Sequence, residues 1–346
     1  MTEREERAMR ARIGEMKASL SRGRSEVQPS KYWDHLNTVH EERLFKYGYE
    51  NFKIPVASHY FTWLPNFPVN RQTRYLVSHS GPGATIRNIF RSFFPPRHRY
   101  LRWRQSLFYN FLVFMLWEYA RRNDNEDLLG RLEEPEAGNP PRIHLDGRLI
   151  SQDIANSAIE FNSMMGPVRD REKIGTVCEL GAGYGRTAFV FLSVMSPLKY
   201  IIIDTPPALY IAERYLSGSF PGKRIFAFRE FNSYSDIKEE FERSDILFFL
   251  PSQIEMLPEG TVDLFISIST LHEMRPGQIR YYFTQIERLL KKGMYFYLKA
   301  AKDSRIPYED IHIREEDYPV PEDWVKVFWR EAKVQTDFFE ALLRSR

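Results

Sequence analysis

Glu179, Gly181, Gly183 and Gly185 stand at alternate positions in the run Val177-Cys178-Glu179-Leu180-Gly181-Ala182-Gly183-Tyr184-Gly185-Arg186. Glycine allows positive φ and lets a ligand approach the backbone closely. Residues Thr176 to Leu180 have buried-strand character, and a helical pattern, Thr187-Ala188-Phe189-Val190-Phe191-Leu192, follows the glycines at once. A strand, a tight turn and a helix N-terminus in this order can hold a small ligand. The spacing is G-x-G-x-G and not the G-x-G-x-x-G of nicotinamide and flavin folds, because position 186 is arginine. Glu179 would repel a pyrophosphate and favour a ligand carrying an ammonium and a sulfonium. Asp204 follows Gly183 by 21 residues and ends the apolar run Lys199 to Ile203. An acid at that place binds the two ribose hydroxyls of an adenosine, whichever cofactor carries it. Further on, His272 and Glu273 are adjacent. An imidazole beside a carboxyl can take up or give a proton during reaction.

The elements around these residues alternate strand and helix from about 176 to 300, which predicts a doubly wound parallel sheet. Asp245 to Leu250 reads as a third central strand, and Ser252 and Gln253 follow it where an adenine edge would be read. Asp263 to Ser269 reads as a fourth and empties into Thr270-Leu271-His272-Glu273-Met274. A helix from Pro276 to Leu290 leads to a fifth, Met294 to Leu298. Arg224 to Phe228 is a short strand candidate with no assigned place. Trp324 to Trp329 and Val334 to Leu343 suit a terminal antiparallel hairpin. With strand four beside strand one, the His272–Glu273 pair falls at the carboxyl edge, across the switch point where such folds bind ligands.

The rest of the chain bounds the answer. Its 346 residues are 43% hydrophobic, 15% aromatic and 27% charged, the composition of a globular protein with a generous core. A net charge of +3 is too small to suggest nucleic acid as the main partner. The single cysteine, Cys178, excludes a disulfide framework and a cysteine-based zinc site. Met1 to Arg24 has no apolar core, so no secretory signal is expected, and Leu107 to Trp117 is too short to span a membrane. A cytoplasmic location is the expectation. Residues 1–29 read as a charged, flexible tail, either a solvated helix or frayed, 30–150 as a mostly helical cap and substrate region, and 151–346 as the ligand-binding domain. Within the cap, Pro55, Pro65 and Pro68 punctuate an irregular stretch rich in Tyr60, Phe61, Trp63 and Phe67. Residues 87–104 interleave arginines with Phe90, Phe93, Phe94, Tyr100 and Trp103. Such a stretch could dock an anionic substrate, a membrane surface or RNA. With so small a whole-chain charge, the favoured expectation is helices with aromatics packed inward and arginines in water. Ser151 is a good N-cap, and Asp153, Asn156 and Glu160 then share one helix face. They are candidates for lining the substrate pocket.

The ordered set Glu179-x-Gly181-x-Gly183-Tyr184-Gly185-Arg186, Asp204-x-Pro206-Pro207-Ala208-Leu209, Pro251-Ser252-Gln253, Asp263-Leu264-Phe265 and His272-Glu273-Met274 resembles the sugar O-methyltransferase family, within the class I S-adenosylmethionine (SAM) methyltransferases. Upstream, Ser30-Lys31-Tyr32-Trp33, Asn51-Phe52, Gly138-Asn139-Pro140 and Ser151-Gln152-Asp153 are similar to that family's N-terminal half. The resemblance implies a Rossmann-like sheet ordered 3-2-1-4-5-7-6, last strand antiparallel, with a helical N-terminal extension. It implies SAM as cofactor, S-adenosylhomocysteine as product, and methyl transfer to a hydroxyl of a sugar, in a glycan or a glycosylated metabolite. Glu179 and the backbone of Gly181, Ala182, Gly183, Tyr184 and Gly185 are assigned to the methionine end, with Arg186 adjoining. Asp204 and Thr205 are assigned to the ribose, Ser252 and Gln253 to the adenine, and Ser269 and Thr270 to the amino group. A hydroxyl needs a base or a metal to attack, so His272 is placed first as the base and Glu273 second. No spacing demands a metal, and none is entered. A homo-oligomer is compatible with the sequence. Rival readings are a dinucleotide oxidoreductase, a non-catalytic methyltransferase-fold subunit, and an enzyme methylating a phenol or polyketide hydroxyl.

Overall fold

The computed structural model describes residues 2–54 and 71–346. The proline- and aromatic-rich stretch from Pro55 to Pro68 lies outside the described residues. The chain divides into two units, one holding residues 1–41, 167–332 and 337–346, the other 42–166 and 333–336. The expected boundaries at 29 and 150 therefore move.

Of the two forms expected for residues 1–29, the helix is the one found, and it is packed instead of solvated. Glu3–Ser21 is a helix, opened by a Thr2–Glu5 capping box in which the Thr2 hydroxyl accepts from the Glu5 N–H at 3.3 Å. Met9, Ile13, Met16 and Leu20 recur at four, three and four residues, one side of a helix, and all four are buried. Arg12 lies 5.1 Å over the Phe228 ring, donates to the Phe228 carbonyl and meets Glu213 at 3.5 Å. A composition dense in charge masks this stripe, but helical spacing puts every large apolar residue on the docked side.

The larger unit is built on one sheet of eight strands. We label them β1 (Thr176–Leu180), β2 (Lys199–Ile203), β3 (Ile225–Phe226), β4 (Ile246–Phe249), β5 (Val262–Ile268), β6 (Leu290–Ala301), β7 (Val325–Glu331) and β8 (Phe338–Arg344). From one edge they run β3-β4-β2-β1-β5-β6-β8-β7. The first six are parallel; β8 runs antiparallel between β6 and β7. The strand count exceeds the expected seven by β3, a two-residue strand on the outer side of β4. The four central strands are near-continuous apolar runs, as burial on both faces demands. Cys178, Ile201, Leu247, Phe265 and Phe296 meet the helix Pro276–Leu289 through Ile279, Phe283 and Ile286. The alternate residues, among them Glu179 and Tyr200, point to the opposite face, where Phe191 of the helix Arg186–Val194 packs 6.0 Å from the Tyr200 ring.

The second unit is helical, with Arg71–Ser80, Pro82–Arg91, Trp103–Arg122 and Gln152–Met165 around a small hairpin, Ile143–Leu145 with Arg148–Ile150. The Leu107–Trp117 run lies inside Trp103–Arg122, and Ser151 caps the next helix, accepting from the Ile154 N–H at 3.1 Å. Lys53 and Glu134 form a buried ion pair, and the Ser151 hydroxyl donates to the same carboxylate. Paired and hydrogen-bonded, these charges can be carried in the core. The basic aromatic stretch departs from expectation. Its aromatics do not pack inward: Phe90, Phe93, Phe94 and Trp103 are exposed. No described helix is long and apolar enough to cross a membrane.

Candidate functional site

The end of β1 delivers the chain into the glycine turn, which takes the conformations that glycine permits. Gly181, Gly183 and Gly185 have φ of +75°, +60° and +89°, and Gly185 is the N-cap of Arg186–Val194. Gly181 is held tightest. Its N–H donates to the Ile203 carbonyl at 2.8 Å, and a Cβ there would lie 2.1 Å from Thr270 Oγ1. The end of β5 thus closes directly on the turn.

Two acids sit beside it. Glu179 is buried and accepts a 2.7 Å hydrogen bond from the Tyr200 hydroxyl. Burial, reinforced by the Glu179 charge, pushes the Tyr200 pKa far above the ordinary value. Asp204, at the end of β2, accepts from the N–H groups of Gly183 and Thr205, each at 2.7 Å. Burial raises the Asp204 carboxyl to about 7 in spite of these two donors, and the nearby Glu179 adds to the rise. Carboxyls so placed favour a cation and hydroxyl donors over a pyrophosphate. Each oxygen of Asp204 retains a lone pair after its backbone bond.

Other assigned residues fare differently. Tyr184 and Ala182 are buried, and Tyr184 packs edge-on against Tyr215 at 5.2 Å, so the tyrosine ring serves the core. Arg186 heads its helix, half-buried. Gln253 is committed to the backbone: its oxygen accepts from the Leu250 N–H at 2.9 Å and its NH2 donates to the Arg229 carbonyl at 2.8 Å. A Cβ on Gly23 would lie 2.8 Å from the Ser252 Cβ, so the turn after the first helix lies against Ser252. Of the two residues assigned to adenine, Gln253 thus has its amide occupied by the backbone, and Ser252 lies beside the end of the N-terminal helix. Asp153, Asn156 and Glu160 belong to the second unit, where Glu160 is buried and no solvent-facing stripe forms.

β5 ends in a strained turn. Ser269 has a φ of +57°, unusual for a residue with a side chain, and its N–H donates to the Lys299 carbonyl at 2.8 Å. Thr270 Oγ1 donates to the Ile268 carbonyl at 3.0 Å. The turn puts His272 and Glu273 on a single 3-10 turn, with the His272 ring edge-on to Phe338 at 5.4 Å. His272 is buried, its imidazole pKa lowered by that burial to about 4, and its Nδ1 finds no hydrogen-bond partner among the described residues. Burial raises Glu273 to about 8, opposed by a hydrogen bond from Trp33. The two side chains are 3.8 Å apart, too far for a hydrogen bond. At neutral pH the pair is therefore an unprotonated imidazole beside a protonated acid. Of the two, only His272 is in the form of a base.

Sequence reasoning missed the walls of this pair. Ser30 donates to the Glu273 carbonyl at 3.3 Å, and Tyr32 is raised in pKa by burial and by Glu273. Tyr318 is raised too, chiefly by burial, and its buried hydroxyl has no partner among the described residues. The signal was the aromatic run from Ser30 to Trp33, recognisable as a helix start but not as a neighbour of residue 273. Among the described residues no group of three His, Cys, Asp or Glu is arranged to hold a metal ion.

The raised carboxyls make stability depend on pH with a definite sign. Folded Glu273 keeps its proton to about 8, whereas an ordinary glutamate loses it at 4.5. Its contribution is complete below the lower value and lost as pH rises through the higher one. Asp204 acts in the same sense up to about 7. His272 has the opposite sense, its contribution lost as pH falls from 6.5 toward about 4. Between about pH 6.5 and 8 only the carboxyls contribute, and urea midpoints of the unliganded protein should fall across that interval. Glu273→Gln should flatten the fall; an unchanged slope would mean that Glu273 is ionised in the fold.

No protein-family model matches the chain, and no curated protein matches it. Among solved structures it is similar to the magnesium protoporphyrin IX methyltransferase of Synechocystis with bound S-adenosylhomocysteine, at 9% identity and a TM-score of 0.39, over 56% of this chain and 86% of that one. A glycopeptide N-methyltransferase complexed with SAM gives 14% identity and a TM-score of 0.36, over 56% and 94%. A SAM-dependent methyltransferase from Aquifex aeolicus gives 14% and 0.31, over 54% and 93%. Similarities this distant leave the reading of the site to its own geometry.

Proposed function

We propose that this chain is a SAM-dependent methyltransferase that methylates a hydroxyl, with a sugar as the acceptor. The observation that carries the reading is the junction of β1 and β5: a glycine turn flanked by buried Glu179 and Asp204 abuts a strand end bearing an imidazole whose buried Nδ1 has no partner among the described residues. The glycine backbone and Glu179 would hold the amino-acid end of the cofactor, and Asp204 the ribose. When bound, SAM supplies an electrophilic methyl group. His272 accepts a hydrogen bond from the acceptor hydroxyl and then its proton. A low imidazole pKa suits this role, because a hydroxyl that has gained a methyl group is a strong acid and even a weak base removes its proton. Burial of His272 limits competition from water for its ring. Tyr32, Trp33, Tyr318 and Phe338 supply apolar ring faces beside hydroxyl and carboxyl groups, a combination that suits the C–H faces and hydroxyls of a sugar.

The first test is calorimetric titration with S-adenosylhomocysteine, NADH and NADPH in parallel. The expected result is a Kd on the order of micromolar for the first and no heat from the others. Nicotinamide binding would replace this reading with an oxidoreductase, and binding of none would favour a subunit without catalysis. Transfer of labelled methyl to free sugars, glycosides and phenols then identifies the acceptor.

A further inference from the structure

The helix Pro82–Arg91 is inside out. Its buried residues are Ala84 and Asn88, and the Asn88 amide donates to Glu118 at 2.8 Å. Ile86, Ile89 and Phe90, spaced i, i+3 and i+4, form its apolar stripe and face solvent, and Phe93 and Phe94 follow in the turn after it. Phe90 is 66% exposed and Phe94 84%, and Trp103, which opens the next helix, is 55% exposed. A soluble helix buries such a stripe, and a contiguous exposed one marks a docking surface.

Charge selects the occupant. The sequence has no aspartate or glutamate between Glu50 and Glu118. Within that acid-free span Arg97, Arg99, Arg102 and Arg104 are exposed beside the aromatics. A second copy of this chain would bring cation against cation, and the nearest acid, Glu118, is already engaged by Arg87, Asn88 and Arg122. RNA would use the arginines and stack on the rings, but has no use for exposed isoleucines. An anionic bilayer uses all three classes: aliphatic and aromatic groups enter the acyl boundary, tryptophan sits at the headgroups, and arginines meet phosphates. We propose that residues 82–104 form a peripheral docking surface for an anionic lipid bilayer.

The test is flotation of the full chain with vesicles of phosphatidylcholine alone, or with about 30% phosphatidylglycerol. Binding is expected to the anionic vesicles, at least about tenfold weaker to neutral ones, and lost in about 0.5 M salt. The variant Phe90→Glu/Phe93→Glu/Phe94→Glu alters only exposed side chains and should keep its thermal midpoint while losing vesicle binding by at least about tenfold. Arg97→Glu/Arg99→Glu should abolish the preference for anionic lipid. The proposal is overturned if the wild type floats with neither vesicle or the aromatic variant floats undiminished. It is equally overturned if a homopolymeric RNA displaces the vesicles from the protein, or if the patch proves to hold a dimer that the aromatic variant splits.

Discussion

Replacing His272 with Asn is expected to lower the rate of methyl transfer by about 10²–10⁴-fold, the usual share of a positioned base. Affinity for S-adenosylhomocysteine should stay within about threefold, since the turn proposed to hold the cofactor is built by Gly181, Gly183 and Asp204. The asparagine fills the space and can still accept a hydrogen bond, but it cannot take a proton at neutral pH. Glu273→Gln is the informative companion. Glu273 is protonated below about pH 8, so the amide is nearly isosteric with the acid and should cost no more than about tenfold at pH 7. If the glutamine variant is the inactive one, the base is Glu273 and the environment of Trp33 lowers its pKa far more than burial raises it. Because His272 is neutral above about pH 4, the wild-type rate should show no imidazole titration between about pH 6 and 8. An inflection near 6.5 would mean that the imidazole is solvated, against its burial.

Gly181→Ala should damage both stability and cofactor binding. The position has a φ of +75°, and the added methyl would lie 2.1 Å from Thr270 Oγ1 and 2.8 Å from Thr270 Cβ. A rotamer change moves the hydroxyl but not the Cβ, so the backbone must give. Strain of this kind costs about 1–3 kcal/mol, and overpacking a comparable amount. The turn would open between β1 and β5, where the cofactor's methionine end is proposed to lie, and binding of S-adenosylhomocysteine should weaken by at least about tenfold. Gly218→Ala is the control. That glycine lies in the helix Ala208–Ser219 with nothing near its built Cβ, so alanine should stabilise by about 0.5–1 kcal/mol. If the two variants melt alike, the close approach of Thr270 to the turn is not a feature of the folded protein.

Much of the larger unit was legible because its signals are local. Buried parallel strands are written as unbroken apolar runs, and the positive-φ turn as glycines at alternate positions. The terminal hairpin appears as β7 and β8, where two apolar runs flank a polar break. β3 had no place in the reading because two residues carry no periodicity; only the edge of β4 makes them a strand. The packing of the N-terminal helix was missed for a related reason. Four large apolar residues among nineteen look like a solvated helix or a frayed tail until the surface that receives them is known.

Residue types and order alone settled the glycine turn, the acid at the end of β2 and the imidazole–carboxyl pair at the end of β5, since each depends on a few consecutive residues. Tertiary structure decided their electrostatic state. The same His272 and Glu273 in a solvated loop would be ordinary titrating groups; beside Trp33, Tyr318 and Phe338 the buried His272 is lowered to about 4 and the partly buried Glu273 is raised to about 8. Tertiary structure also decided that Gln253 holds the backbone, and that the aromatics of residues 90–103 face outward instead of joining the core. Burial and partnership are sums over residues distant in the chain, and no short stretch of sequence contains them.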